Sequence, residues 1–157
     1  AYHLPLDAHP ELGNNARLGQ LLELGESRPL LEDDPASVGN ISDLGVPVPA
    51  AEITARLAQL TRRTPLHIGP EDGLVASVAW CTGAAQGYIE SAVAAGADMF
   101  ITGEVSEPTV HIAREEGIHF VAAGHHATER YGVQALGDYL GENLGLQHRF
   151  IDIDNPV

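Results

Sequence analysis

The sequence predicts an α/β fold, with alternating strand and helix units around a largely parallel or mixed sheet. Three observations carry this expectation. Short apolar runs recur through the second half of the chain, separated by stretches with helical spacing. The connections between them are short and marked by glycine. The runs are also continuous rather than alternating, as in strands covered on both faces.

Each element has a local basis. Tyr2–Leu6 reads as a strand, with Pro5 pushing it toward an edge or a bulge. Pro10–Leu24 reads as a helix with Pro10 near its start. Arg28–Pro49 holds Pro29, Pro35, Gly39, Gly45, Pro47 and Pro49, and reads as loops and short strands. Ala50–Leu60 is a small helix and Leu66–Ile68 a short strand. Leu74–Trp80 is a strand rich in Val and Ala. Ala84–Ala95 then places Ala85, Ile89, Ala92, Val93 and Gly96 on one helical face. Asp98–Thr102 is a second buried strand, stopped by Gly103. Glu107–Glu116 is a helix with Pro108 in its first turn and Gly117 as its stop. Ile118–Ala123 is the next strand. His126–Leu144 is the longest helix, with Val133, Leu136, Leu140 and Leu144 at helical spacing. Leu146–Ile153 alternates partly and closes the chain as a strand.

Composition narrows the classes. The 157 residues suffice for one domain with a sizeable core, and 44% hydrophobic against 19% charged residues argues against disorder. No apolar run reaches the roughly 18–20 residues that a membrane helix needs. The single cysteine, Cys81, excludes an internal disulfide framework and favours the cytoplasm. The net charge is −14, all eight basic residues are Arg, and the only basic pair is Arg62–Arg63. Nucleic acid and anionic membranes are therefore not the expected partners.

The densest polar signal is Gly124-His125-His126-Ala127-Thr128-Glu129-Arg130, where a strand ends and the longest helix begins. Ligands gather at such carboxyl ends in open α/β sheets. His125 and Glu129 are four apart and share a helix face. The stripe continues through Val133, Leu136 and Leu140, so the pair is expected to point inward. An imidazole and a carboxylate buried together need partners, and Zn, Mn, Fe, Co or Ni would suit them. The same residues also suit a helix N-terminus through its dipole. His67/Glu71 and His111/Glu115 repeat the spacing and read as a solvated loop and a helix-surface pair.

Other strand ends carry weaker signals. Asp7, near His3 and His9, suits a site or a turn before Pro10. Asn14-Asn15 could fix neighbouring carboxylates or loops, or lie on the surface. Glu104 follows a buried run and reads either as a catalytic base or substrate contact, or as a helix-entry acid. The Cys81–Gly87 loop has N–H groups that could hold a phosphate. Cys81 itself reads as a small buried hydrophobe.

Four blocks raise the specificity. The segment from His3 to Ala16, Ala79-Trp80-Cys81-Thr82-Gly83, the segment from Phe100 to Glu107, and the segment from Ala122 to Arg130 closely resemble the YbgI-like dinuclear metal-centre family, also known as GTP cyclohydrolase 1 type 2 homologues. The match runs from Tyr2 to Pro156. The resemblance implies an α/β fold with two divalent metal ions between two lobes, and a ring-shaped homo-hexamer. It maps metal ligands onto Asp7, His125 and the bridging Glu129, and places His3 beside them in the second shell. Family members carry a further N-terminal segment whose adjacent His-His pair supplies two more ligands. The chain is therefore expected to be one α/β region, 1–157, forming the C-terminal portion of a longer protein. Three ligands in place of five would hold two metals poorly.

The function this implies is metal-dependent hydrolysis of a nucleotide or related cyclic amide in the cytoplasm, with Asp7, His125 and Glu129 on metal. The rival is a metal-binding oligomeric scaffold or regulatory interaction protein without catalysis.

Overall fold

A computed structural model describes residues 3–34, 37–70 and 72–157. Its centre is one six-stranded sheet formed by β1 (Arg28–Pro29), β2 (Asn40–Pro49), β3 (Leu66–Ile68), β4 (Leu74–Trp80), β5 (Met99–Thr102) and β6 (His119–Ala122), in the order β1-β2-β4-β5-β6-β3. β4, β5 and β6 run parallel, with Trp80 beside Ile101 and Phe100 beside Phe120. Both flanks are antiparallel, β2 on β4 with β1 outside it, and β3 on β6. The sheet is therefore mixed around a parallel centre. Every residue of β5 and β6 is buried, as continuous apolar runs require.

Alternation along the strands makes two cores. Trp80, Met99, Ile101 and Val121 face α2 (Asn14–Leu21), α3 (Ala50–Thr61) and Tyr131 at the start of α7 (Tyr131–Leu144). Ala79, Phe100, Phe120 and Ala122 face α4 (Ile89–Ala94) and α5 (Glu107–Glu116). Trp80, Phe100 and Phe120 are the largest fully buried side chains, and each contributes about 2–3 kcal/mol over exposure. α2 lies close against the sheet because Gly19 has no side chain: a Cβ there would be 2.5 Å from the Trp80 ring. No helix among the described residues is long and apolar enough to cross a membrane.

Several elements depart from the sequence expectation. Residues His3–Asp7 form a helix, α1, where a strand was expected; Tyr2 lies outside the described residues. The segment is too short for periodicity to decide, and Pro5 fits a first helical turn, where no amide bond is lost. α2 begins only at Asn14. β2 extends for ten residues despite Pro47 and Pro49. β1 covers only its Asn40–Ile41 end, so the prolines face an open edge, and a register shift between Asp43 and Val48 absorbs Gly45 at φ +73°. The segment after β4 is a 3-10 turn, Gln86–Tyr88, followed by the six-residue α4.

The expected longest helix is broken into α6 (His125–Thr128) and α7. The Thr128 hydroxyl bonds back to the Gly124 and His125 carbonyls, and Glu129 N–H is shared between the His125 and His126 carbonyls. Such back-bonding bends helices. The turn shifts the phase of α7, so Val133 is 47% exposed and the buried face of that helix is Tyr131, Gly132 and Ala135. Residues 145–157 have no regular structure, where a closing strand was expected. Arginine and histidine side chains hold part of that segment instead of a neighbouring strand.

Candidate metal centre

The carboxyl ends of β4, β5 and β6 meet in three stacked loops. Gly103 N–H donates to the Gly83 carbonyl and Gly124 N–H to the Gly103 carbonyl, each at 2.9 Å. A Cβ on Gly103 would be 2.7 Å from the Gly83 carbonyl oxygen, so only glycine permits this approach. The stacking brings Thr82-Gly83, Glu104 and His125 onto one floor, and α1 closes it from the side.

His3, Asp7 and Glu129 converge there. Each offers one ligand atom, and the three atoms lie within 4.8 Å of one another. His3 Nε2 is 3.5 Å from Asp7 Oδ2 and 3.7 Å from Glu129 Oε2. His3 and Asp7 are four apart on α1, so the helical turn, unlike the expected strand, puts both on one face. The Asp7 and Glu129 side chains are 6% and 14% exposed, whereas His3 is open to solvent.

His125 adds a second layer of contacts. Its Nδ1 is 2.6 Å from Glu104 Oε1 and its Nε2 is 3.0 Å from Glu129 Oε2. Glu104 thus fixes the ring while the other nitrogen faces Glu129. The Glu104 hydrogen bond is the main cause that holds His125 above its ordinary basicity. Burial, and then the nearby Asp7 carboxylate, push Glu129 above the usual carboxylate range. Two neighbouring buried acids are a site that a cation relieves.

Side chains beyond these set the geometry. Asn14 Nδ2 donates to Asp7 Oδ1 at 2.6 Å, and Asn14 Oδ1 accepts from Gly132 N–H at 2.6 Å. Asn15 Nδ2 donates to the Asp7 carbonyl. Both asparagines are buried: Asn14 fixes a carboxylate, and Asn15 fixes the backbone of Asp7 and of the Thr82 loop. Gly83 adopts φ +72° against Glu129, and a Cβ there would be 2.7 Å from Glu129 Cδ and closer to Oε1. This cradle, like the grip of Thr128 on Gly83 N–H, had no signal in the sequence.

Three amides of the Cys81–Gly87 loop are already taken by protein side chains. Thr82 N–H goes to Asn15 Oδ1, Gly83 N–H to Thr128 Oγ1 and Ala85 N–H to Thr102 Oγ1. Cys81 is buried, and its thiol is pushed up to about 12 by burial and the Asp7 and Glu129 carboxylates. It packs as an apolar residue. Of the other spaced pairs, His111 and Glu115 are exposed on α5. His67 is not in a solvated loop: it sits on β3 with Nε2 3.0 Å from His119 Nδ1. Glu71 lies outside the described residues.

The family model described as Duf34/NIF3 (NGG1p interacting factor 3) matches residues 1–156. The chain belongs to this family. It is 52% identical to a protein of Allochromatium vinosum and 53% identical to one of Vibrio cholerae, both named "GTP cyclohydrolase 1 type 2 homolog", with all of this chain aligned. It spans 61% and 63% of those proteins, about three fifths of their length. The solved structure of protein ybgI matches with a TM-score of 0.87 at 50% identity, over 99% of this chain and 61% of that one. TTHA1606 of Thermus thermophilus matches with a TM-score of 0.85 at 33% identity, over 99% and 60%. The α/β fold is that of this Duf34/NIF3 group.

A divalent cation fits the donor set. One imidazole and two carboxylates converge, Asp7 Oδ2 is left over once Asn14 has taken Oδ1, and the glycine cradle lets the Glu129 carboxylate seat beside them.

Proposed function

We propose that this site holds divalent metal through Asp7, Glu129 and His125, with His3 at its open side, and that it serves hydrolysis of a nucleotide or a related cyclic amide. The observation that carries the reading is the convergence of His3, Asp7 and Glu129 at the carboxyl ends of the parallel strands. The name shared by the relatives supports the substrate class. When bound, such an ion supplies Lewis-acid activation of a carbonyl and of water.

The chain's own residues do the remaining work. Asp7 and Glu129 bring the charge that retains the ion. Glu104 holds the His125 ring by Nδ1, which leaves Nε2 on the Glu129 side as the ring's one free ligand atom. Glu104 therefore acts through His125. The adjoining cavity, about 350 Å³, sets Val38, Ala85 and Tyr88 opposite Asp7 and Glu129. An apolar wall over an acidic floor suits a flat ring with polar edges. No arginine lines that cavity among the described residues, so the phosphates of a nucleotide would lie outside it. The oligomeric ring implied by the family resemblance belongs to the same proposal.

The test is elemental analysis followed by turnover of GTP and simpler cyclic amides by the metal-loaded protein. Metal retained by wild type and lost in Glu129→Ala, with turnover lost in parallel, supports the reading. Metal retained without turnover across the panel favours the scaffold. A protein that retains no metal refutes both.

A further inference from the structure

We propose that Asp152 is a positioning residue for the His125–Glu129 pair, acting from the far side of the turn that carries them. The proposal rests on the metal-binding reading above. α6 is a single turn of four residues, and Glu129 and Arg130 fall between α6 and α7. One helical turn has no stability of its own. Its geometry must be imposed by contacts from outside.

On the cavity side, Glu104 and Gly83 supply those contacts. On the other side, His126 and Arg130 enter a second cleft of about 530 Å³. They are the residues that directly follow His125 and Glu129. Both end on one carboxylate: His126 Nε2 is 3.3 Å from Asp152 Oδ1, and Arg130 Nη1 donates to Asp152 Oδ2 at 2.9 Å. Arg62 approaches the same group at 3.6 Å. Arg130 also donates to the Leu60 carbonyl at 3.2 Å, in the last turn of α3. Asp152 thus joins the end of α3, α6 and the α6–α7 joint through one side chain.

The segment that carries Asp152 has no regular structure, so contacts from other parts of the chain must place it. Arg63 Nη2 donates to the Pro156 carbonyl at 3.1 Å, and the His126 amide to the Val157 carbonyl at 3.3 Å. A separate anchor, His148 Nδ1 to Asp138 Oδ1 at 2.9 Å, lies away from the turn on α7. The Arg130 side chain is only 10% exposed. Without the Asp152 carboxylate, its charge would be left nearly buried and unpaired. Relief requires residue 130 to move toward water, and Glu129 is its neighbour in the chain. Partners bonded directly to a metal ligand typically hold 10–100-fold of metal affinity; Asp152 acts one residue further out, which sets the low end of that range as the expectation.

The experiment compares wild type, Asp152→Asn, Asp152→Glu and His148→Ala. His148→Ala loosens the same segment at its other anchor. Co²⁺ affinity and the visible Co²⁺ spectrum are measured, together with hydrogen exchange of residues 124–131 in metal-free protein. Asp152→Asn is expected to lose about tenfold in Co²⁺ affinity, to change the spectrum and to exchange faster over the turn. Asp152→Glu should recover part of the affinity, and His148→Ala should match wild type. Equal losses in Asp152→Asn and His148→Ala overturn the proposal, as does Asp152→Asn with wild-type affinity and exchange. If Asp152→Asn does not fold, His126→Asn carries the test, with a smaller loss expected and no loss overturning it. A wild type that binds no Co²⁺ refutes the metal reading alone; faster exchange confined to Asp152→Asn then still supports positioning of the turn, and unchanged exchange overturns it.

Discussion

Replacing Gly83 by alanine isolates the cradle beneath Glu129. Two costs are expected. The first is backbone strain, because Gly83 adopts φ +72° and an L-residue there costs about 1–2 kcal/mol. The second is displacement. The new Cβ would be 2.7 Å from Glu129 Cδ, and carbon atoms settle at about 3.5–4.0 Å. The carboxylate must therefore retreat by about 1 Å, whereas functional groups need placing within about 0.5 Å. Gly45 supplies the control: it has φ +73° and nothing within 4 Å of a Cβ, so Gly45→Ala meets the strain without the clash. Both variants should melt about 2–8 °C below wild type. Only Gly83→Ala should lose Co²⁺ affinity, by about tenfold or more, equivalent to about 1.4 kcal/mol. Titration calorimetry and thermal melts read both effects. Wild-type Co²⁺ affinity in Gly83→Ala, or equal losses in the two variants, would refute the argument.

Two titratable clusters make stability depend on pH. Glu129 is pushed above its ordinary value of 4.5 by burial and then by Asp7, so its contribution to stability is present below that value and lost as pH rises through the raised one. Metal-free Glu129→Gln should therefore melt above wild type at pH 7, with the gap closing toward pH 4; a gap independent of pH would rule this out. His67 and His119 are both held below their ordinary 6.5, chiefly by burial, with His67 further lowering His119 and Asp98 partly opposing. Their contribution is complete above 6.5 and lost as pH falls. His67→Gln, which can still hydrogen-bond to His119, should show a shallower acid-side fall in melting temperature, and an unchanged fall would exclude the pair as its source.

The parts of the fold that were legible are those with punctuation. Glu107–Glu116 forms as expected because Pro108 and Gly117 mark both ends and Gly117 takes φ +69°. β4 forms over Leu74–Trp80 as expected, and the runs at β5 and β6 each extend one or two residues beyond the strand, because a continuous apolar stretch has few other places in a compact sheet. The illegible parts depend on long-range contacts. Nothing local in His3–Asp7 distinguishes a helical turn from a strand. The break after Thr128 comes from one hydroxyl bonding backward and one amide, Gly83 N–H, arriving from another loop. The inward stripe through Val133 failed for the same reason, since a helix that bends does not keep its phase. His125 and Glu129 nevertheless meet, because one turn suffices to bring them together. The pairing of His67 with His119 spans two strands and had no trace in local spacing.

The antiparallel placement of β3 has a consequence for the order of assembly. β3 ends at Ile68, yet Ile68 pairs with Phe120, about 50 residues further along the chain, and closing a loop of that length is slow relative to local pairing. At synthesis rates of about 5–20 residues per second, β3 waits roughly 3–10 s for β6 to be made. It is finished before β4, β5 and β6 but can be seated only after them. During that interval it is an unsatisfied edge, the condition in which strands recruit the wrong neighbour. Its three residues, Leu66–Ile68, fall well short of the six or seven that a stable cross-strand stack requires. The shortness of this strand is a safeguard that belongs to the nascent chain rather than to the finished sheet.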